Sequence, residues 1–138
     1  MDLIVCSTLK RARQTAAVVN RVLKCPVIYR EELIERGFGE WEGKKIAPIR
    51  EEVYYSSGNL YNYSCTESYK GIETPADLCK RVWGLVEELK EYYPGRNLLL
   101  VTHGGTMRSI NAFFEGLGED GMLPPIGAKN CQLMQYQA

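Results

Sequence analysis

The sequence predicts an α/β fold built on a mainly parallel sheet, and three observations carry that expectation. Short, near-continuous apolar runs recur along the chain, as buried parallel strands require. Segments of helical periodicity separate them. At 138 residues the chain matches one domain with a core of its own, spanning residues 1–138. No internal repeat or low-complexity tract interrupts this plan.

The elements follow in order. "DLIVC" reads as a buried strand beginning at residue 2. "STLKRARQTAAVVNRVLK" reads as a helix, with Ser7 or Thr8 as N-cap and Leu9, Ala12, Ala16, Val19 and Leu23 stepping by three or four along one buried face. "PVIYR" is a second strand. Residues 35–72 are rich in Gly, Tyr, Ser and Asn and read as a long insertion, with a helix over "KKIAPIREEVY". "TPADLCKRVWGLVEELKEYYPG" carries the clearest helix signal: Thr74 as N-cap, Pro75 in the first turn, Asp77 in a capping-box position, and a stripe of Leu78, Val82, Leu85, Val86 and Leu89. Pro94-Gly95 ends it. "NLLLVTH" is a third strand, "TMRSINAFFEGLG" a helix and "CQLMQYQ" a last strand.

Composition narrows the function classes. Seventeen basic residues balance seventeen acidic ones, so no general attraction to nucleic acid or to an anionic membrane is expected, and any anion site must be local. The five cysteines form no C-x-x-C pair and the chain has one histidine, which argues for reduced thiols in a cytoplasmic protein and against a metal site. No apolar run reaches the ~20 residues of a membrane span, and the N-terminus lacks the features of a signal peptide. Nothing calls for a cofactor.

The single histidine, His103, lies in "LLLVTHGGTMRSI", at the end of a strand and before two glycines. In open α/β sheets ligands sit where strands hand over to helices. Gly104 and Gly105 let backbone amides approach a ligand, and the following helix aims its positive end at the same spot. "VCSTLKRARQT" repeats the arrangement: strand, Ser7-Thr8, then a helix whose first turn carries Lys10 and Arg11. Arg11 can hold an oxyanion through two parallel N–H bonds. Phosphate or sulfate is therefore expected between residues 7–11 and 102–106. Taken singly, each feature has an ordinary explanation: a histidine satisfied near the surface, a solvated helix charge, a Gly-Gly turn.

Four motifs in one order say more. "STLKRARQTA", "ERGFGEWEGK", "GIET" and "VTHGGTMRSI" make the chain, from residue 2 to about 135, resemble the histidine phosphatase superfamily, which contains phosphoglycerate mutases and broad-specificity phosphatases. The resemblance implies a three-layer fold of phosphoglycerate mutase type with helices on both faces of the sheet. It also implies that Arg11 and His103 contact the phosphoryl group, that the Gly104 amide helps bind its oxygens, and that Glu35 is the proton donor. Glu73 is a second acidic candidate, and Ser7 joins the binding residues. The family's first strand, which ends in Arg-His-Gly and carries the nucleophilic histidine, is not found here. The resemblance puts that strand in mid-sheet, beside the one ending at His103.

Three readings follow. One is a phosphomonoester phosphatase lacking its first strand and inactive as this chain, with a mutase-type phosphotransferase as the less favoured variant because the middle segment looks compact. The second is a non-catalytic protein that binds phosphate or a small phosphorylated molecule. The third is a relic site with no role. Without the family's first strand the sheet must close by moving its strands together or by lending an edge to another copy, and a homodimer or larger species is expected.

Overall fold

A computed structural model describes residues 1–45, 48, 60–126 and 129–137. Three strands, β1 (Leu3–Ser7), β2 (Val27–Arg30) and β3 (Leu98–Val101), form a parallel sheet in the order β2-β1-β3. Ile4 lies opposite both Val27 and Leu99, and Cys6 opposite both Tyr29 and Val101. Every residue of β1 is buried, as expected of a strand paired on both sides and covered on both faces, whereas Leu98, Leu99 and Leu100 of β3 are only half-buried. Among the described residues no strand pairs with the other edge of β3.

Alternation along β1 splits the core into two layers. Ile4 and Cys6 face helix α1 (Lys10–Leu23), packing with Ala12, Ala16 and Val101. Leu3 and Val5 face the opposite side and pack with helix α2 (Pro75–Tyr92), which supplies Leu78, Val82, Leu85 and Leu89, and with Ile110 and Ala112 of helix α3 (Gly104–Glu115). The helices thus cover both faces, as predicted. The Trp83 indole N–H donates to the Ser109 carbonyl at 2.8 Å and ties α2 to α3.

The predicted cap and apolar stripe of α2 are present: the Thr74 hydroxyl accepts from the Asp77 amide at 3.0 Å, and all five stripe residues are buried. Helix α1 differs from expectation at its start. It begins at Lys10 with Leu9 as N-cap and no side-chain cap, because Ser7 is still paired within β1 and its hydroxyl is turned inward. Only Ala12 and Ala16 of its stripe are fully buried; Leu9, Val19 and Leu23 lie at the margins.

The expected last strand does not form. Residues 131–137 join no ladder, and Leu133 is 76% exposed. The segment is held instead by Tyr136, which stacks on Phe114 of α3 and donates its hydroxyl to Asn111 Oδ1 at 2.8 Å. The alternation that suggested a strand serves one aromatic anchor. Most of the helix expected over "KKIAPIREEVY" lies outside the described residues. No described helix is long and apolar enough to cross a membrane.

Candidate active site

The carboxyl ends of β1 and β3 bring together residues 92 or more positions apart in sequence. His103 leaves β3 two residues after Val101 and is buried. Its Nδ1 accepts from the Arg11 Nε–H at 3.1 Å, and its Nε2 lies 2.9 Å from Ser7 Oγ. Ser7 is fully buried and also accepts from the Leu9 amide at 3.3 Å, so it stands behind the imidazole and not on the open surface. Burial pushes the His103 pKa down, Arg11 and Arg81 push it further the same way, and Glu35 pulls against them.

Glu35 lies in the loop after β2, and Glu73 directly precedes the Thr74 cap of α2. Glu35 Oε1 accepts from the Gly105 amide at 3.0 Å and from the Arg36 amide at 2.9 Å. A carboxylate therefore occupies part of the positive start of α3, the helix end expected to face an external oxyanion. Gly104, exposed at the first position of α3, keeps an amide with no acceptor among the described residues. The two glycines differ in another way. A side chain at Gly105 would meet Glu35 Oε1 at 2.6 Å, while one at Gly104 would meet nothing within 4 Å.

The Glu35 loop is fastened by side chains from elsewhere. Thr102 and Thr106 donate to the carbonyls of Leu33 and Ile34 at 2.8 and 2.6 Å. Arg81 of α2 donates to the carbonyls of Glu32 and Ile34 and, with its remaining N–H groups, grips both oxygens of Glu73 at 2.6 and 2.9 Å. Glu73 Oε2 also accepts from Gly37 at 3.2 Å, so both oxygens of that carboxylate are engaged. Arg36 is buried, with its guanidinium on the carbonyls of Glu73 and Leu60 at 2.7 and 2.6 Å and near the rings of Phe38 and Tyr61. Desolvation lowers its pKa. Arg108, one turn into α3, lies 4.1 Å from the Tyr61 ring centroid. Sequence reasoning missed Arg36 and Arg81. Arg81 sits on what reads as the polar face of a helix, and no spacing reveals that it reaches back to a loop 47 to 49 residues earlier.

Of the predicted site residues, Ser7, Arg11 and His103 form one hydrogen-bonded group, Glu35 joins it through the start of α3, and Glu73 lies one step removed, beside Arg81. Among the described residues no cluster of His, Cys, Asp or Glu has the makings of a metal site.

Comparison with known proteins places the chain in a family. Residues 1–137 match the family described as the histidine phosphatase superfamily (branch 1). The chain is 30% identical over 109 residues to an uncharacterized phosphatase, PhoE, of Bacillus subtilis (strain 168), covering 79% of this chain and 51% of that protein. It is 30% identical over 127 residues to the adenosylcobalamin/alpha-ribazole phosphatase of Escherichia coli (strain K12), covering 88% and 60%. Among solved structures, a mycobacterial glucosyl-3-phosphoglycerate phosphatase in complex with inorganic phosphate superposes with a TM-score of 0.69 at 28% identity, covering 86% of this chain and 60% of that one. The chain thus spans between about half and three-fifths of the length of these relatives.

Proposed function

Because this chain belongs to the histidine phosphatase superfamily, we propose that its site takes the phosphoryl group of a small phosphomonoester, or inorganic phosphate, between Arg11 and His103. The observation that carries this reading is the contact of Arg11 Nε with His103 Nδ1 at 3.1 Å where β1 and β3 end. A phosphoryl dianion needs a guanidinium that is not already neutralised. Arg30 is held by Glu32 and Glu88, and Arg81 by Glu73, while Arg11 pairs with no carboxylate among the described residues. The Gly104 amide supplies a further donor.

Monoester hydrolysis is the reaction class this reading assigns to the whole protein, in keeping with relatives named as phosphatases. Glu35 is the better proton donor of the two acids: its Oε2 has no partner among the described residues, whereas both oxygens of Glu73 are taken. A phosphohistidine route also needs a second imidazole in line with the leaving oxygen, and these 138 residues include one histidine. The polypeptide by itself is therefore expected to bind without turnover, which also supports the second reading, a phosphate-binding protein. The edge of β3 that no strand covers among the described residues is offered to a second copy, and five free thiols suit the cytoplasm.

Two measurements test this. Phosphate titrated against the His103 ring signals by NMR should shift them in the millimolar range; no change up to tens of millimolar sinks the site. Hydrolysis of p-nitrophenyl phosphate should be at background for the chain and for His103→Ala, and should appear in a version extended by an Arg-His-Gly strand. Turnover by the short chain that vanishes in His103→Ala would make His103 the nucleophile.

A further inference from the structure

His103 is gripped through both ring nitrogens, and the grips are chemically unequal. A guanidinium N–H can only donate. Nδ1, which receives the Arg11 Nε–H at 3.1 Å, therefore carries no proton, and the neutral ring must carry it on Nε2. Nε2 lies 2.9 Å from Ser7 Oγ, so the ring donates and the hydroxyl accepts. This is the reverse of a serine–histidine dyad. There an acidic partner on Nδ1 leaves Nε2 free to take the serine proton; here a basic partner forbids it. Ser7 is not an activated nucleophile but a fully buried acceptor that fixes the ring.

The same logic bears on protonation. An imidazolium has a donor on each nitrogen, so Nδ1–H and the Arg11 Nε–H cannot face each other at 3.1 Å. One must move. Resting on the reading of this site as a phosphoryl site, we propose that anion binding is coupled to the uptake of one proton by His103, with Arg11 as the latch and Ser7 as the positioning residue. The anion draws the guanidinium off Nδ1. A solvent proton then bonds to the vacated Nδ1, and the imidazolium donates Nδ1–H to the anion while Nε2–H stays on Ser7 Oγ. No other covalent bond forms or breaks. The groups facing His103 come from four directions: Arg11 on α1 and Arg81 on α2 disfavour the charged ring, Glu35 on the loop favours it, and Ser7 on β1 is neutral. An arriving anion adds a second favourable charge and, by pairing with Arg11, offsets the nearest unfavourable one.

The test uses the 138-residue protein with ¹⁵N-labelled histidine, and sulfate as probe, because sulfate does not titrate between about pH 5 and 9 and so contributes no proton of its own. Without sulfate, the ring shifts should report the Nε2–H tautomer and a titration midpoint below the ordinary value. Saturating sulfate should raise the midpoint by about one unit or more, and sulfate affinity should fall roughly tenfold per pH unit across the interval between the two midpoints. Arg11→Leu should raise the midpoint with no ligand present. Ser7→Ala should shrink the sulfate-induced shift, and Ser7→Thr should restore it. Sulfate binding with an unmoved midpoint, or a resting Nδ1–H tautomer, overturns the proposal and leaves the anion site standing. No response to sulfate or phosphate up to tens of millimolar removes the site and the proposal together.

Discussion

At the scale of single residues, the two glycines after His103 do different work. A Cβ at Gly105 would lie 2.6 Å from Glu35 Oε1 and 3.2 Å from the Arg36 Cβ, which would have to give by a few tenths of an ångström. The end of a glutamate can swing aside, so Gly105→Ala should cost only about 1 kcal/mol. It should still detach Glu35 from the α3 amide, which faster hydrogen exchange of the amide at position 105 would reveal. Gly104→Ala has room for its methyl group and should leave the urea midpoint nearly unchanged, but the methyl group adds bulk where the anion must approach. Its expected readout is weaker phosphate binding in a normally stable protein. His103 makes a second prediction. Its folded pKa lies below the ordinary 6.5, so the unfolded chain binds the proton more readily, and stability must fall as pH drops below about 6.5 toward the folded value. Urea melts at pH 7.5 and 5.5 should show this loss, and His103→Gln should reduce it.

At the scale of elements, α2 was legible in the sequence because its signals are local. A cap, an N-terminal proline and an apolar stripe lie within one continuous segment, and each acts on its near neighbours. Thr74→Ala should therefore cost about 1 kcal/mol in urea unfolding. The start of α1 was not legible, because what decides it is long-range: Ser7 belongs to a strand and to a histidine 96 positions away. The false last strand has the same root, since period-two alternation cannot tell a ladder from one tyrosine anchored on α3. Within the candidate site, strand ends and glycines pointed to Arg11, His103 and Gly104, while the fastening of the Glu35 loop by Arg81 is tertiary. Arg81→Met should cost about 1–3 kcal/mol, because it strands Glu73 and two loop carbonyls in partly buried surroundings. It should also loosen the contact between Glu35 and Gly105, seen as faster exchange of that amide.

At the scale of the whole molecule, the sheet is closed on one side of β1 by β2 and on the other by β3, whose far edge is open among the described residues. Unpaired backbone groups on half-buried leucines invite another strand. Light scattering at micromolar concentration is expected to give a mass above that of one chain; a monomer with a single cooperative unfolding transition would count against this.

That open edge has a consequence for how experiments on the site will look. β3 ends two residues before His103, so a copy docked along the strand would lie beside the segment that carries the imidazole. Two equilibria that share a structural element are bound by reciprocity: if self-association strengthens sulfate binding by some factor, sulfate must strengthen self-association by the same factor. Apparent affinity would then depend on protein concentration, and titrations run at NMR and at fluorescence concentrations would disagree in a direction fixed by the sign of that single coupling.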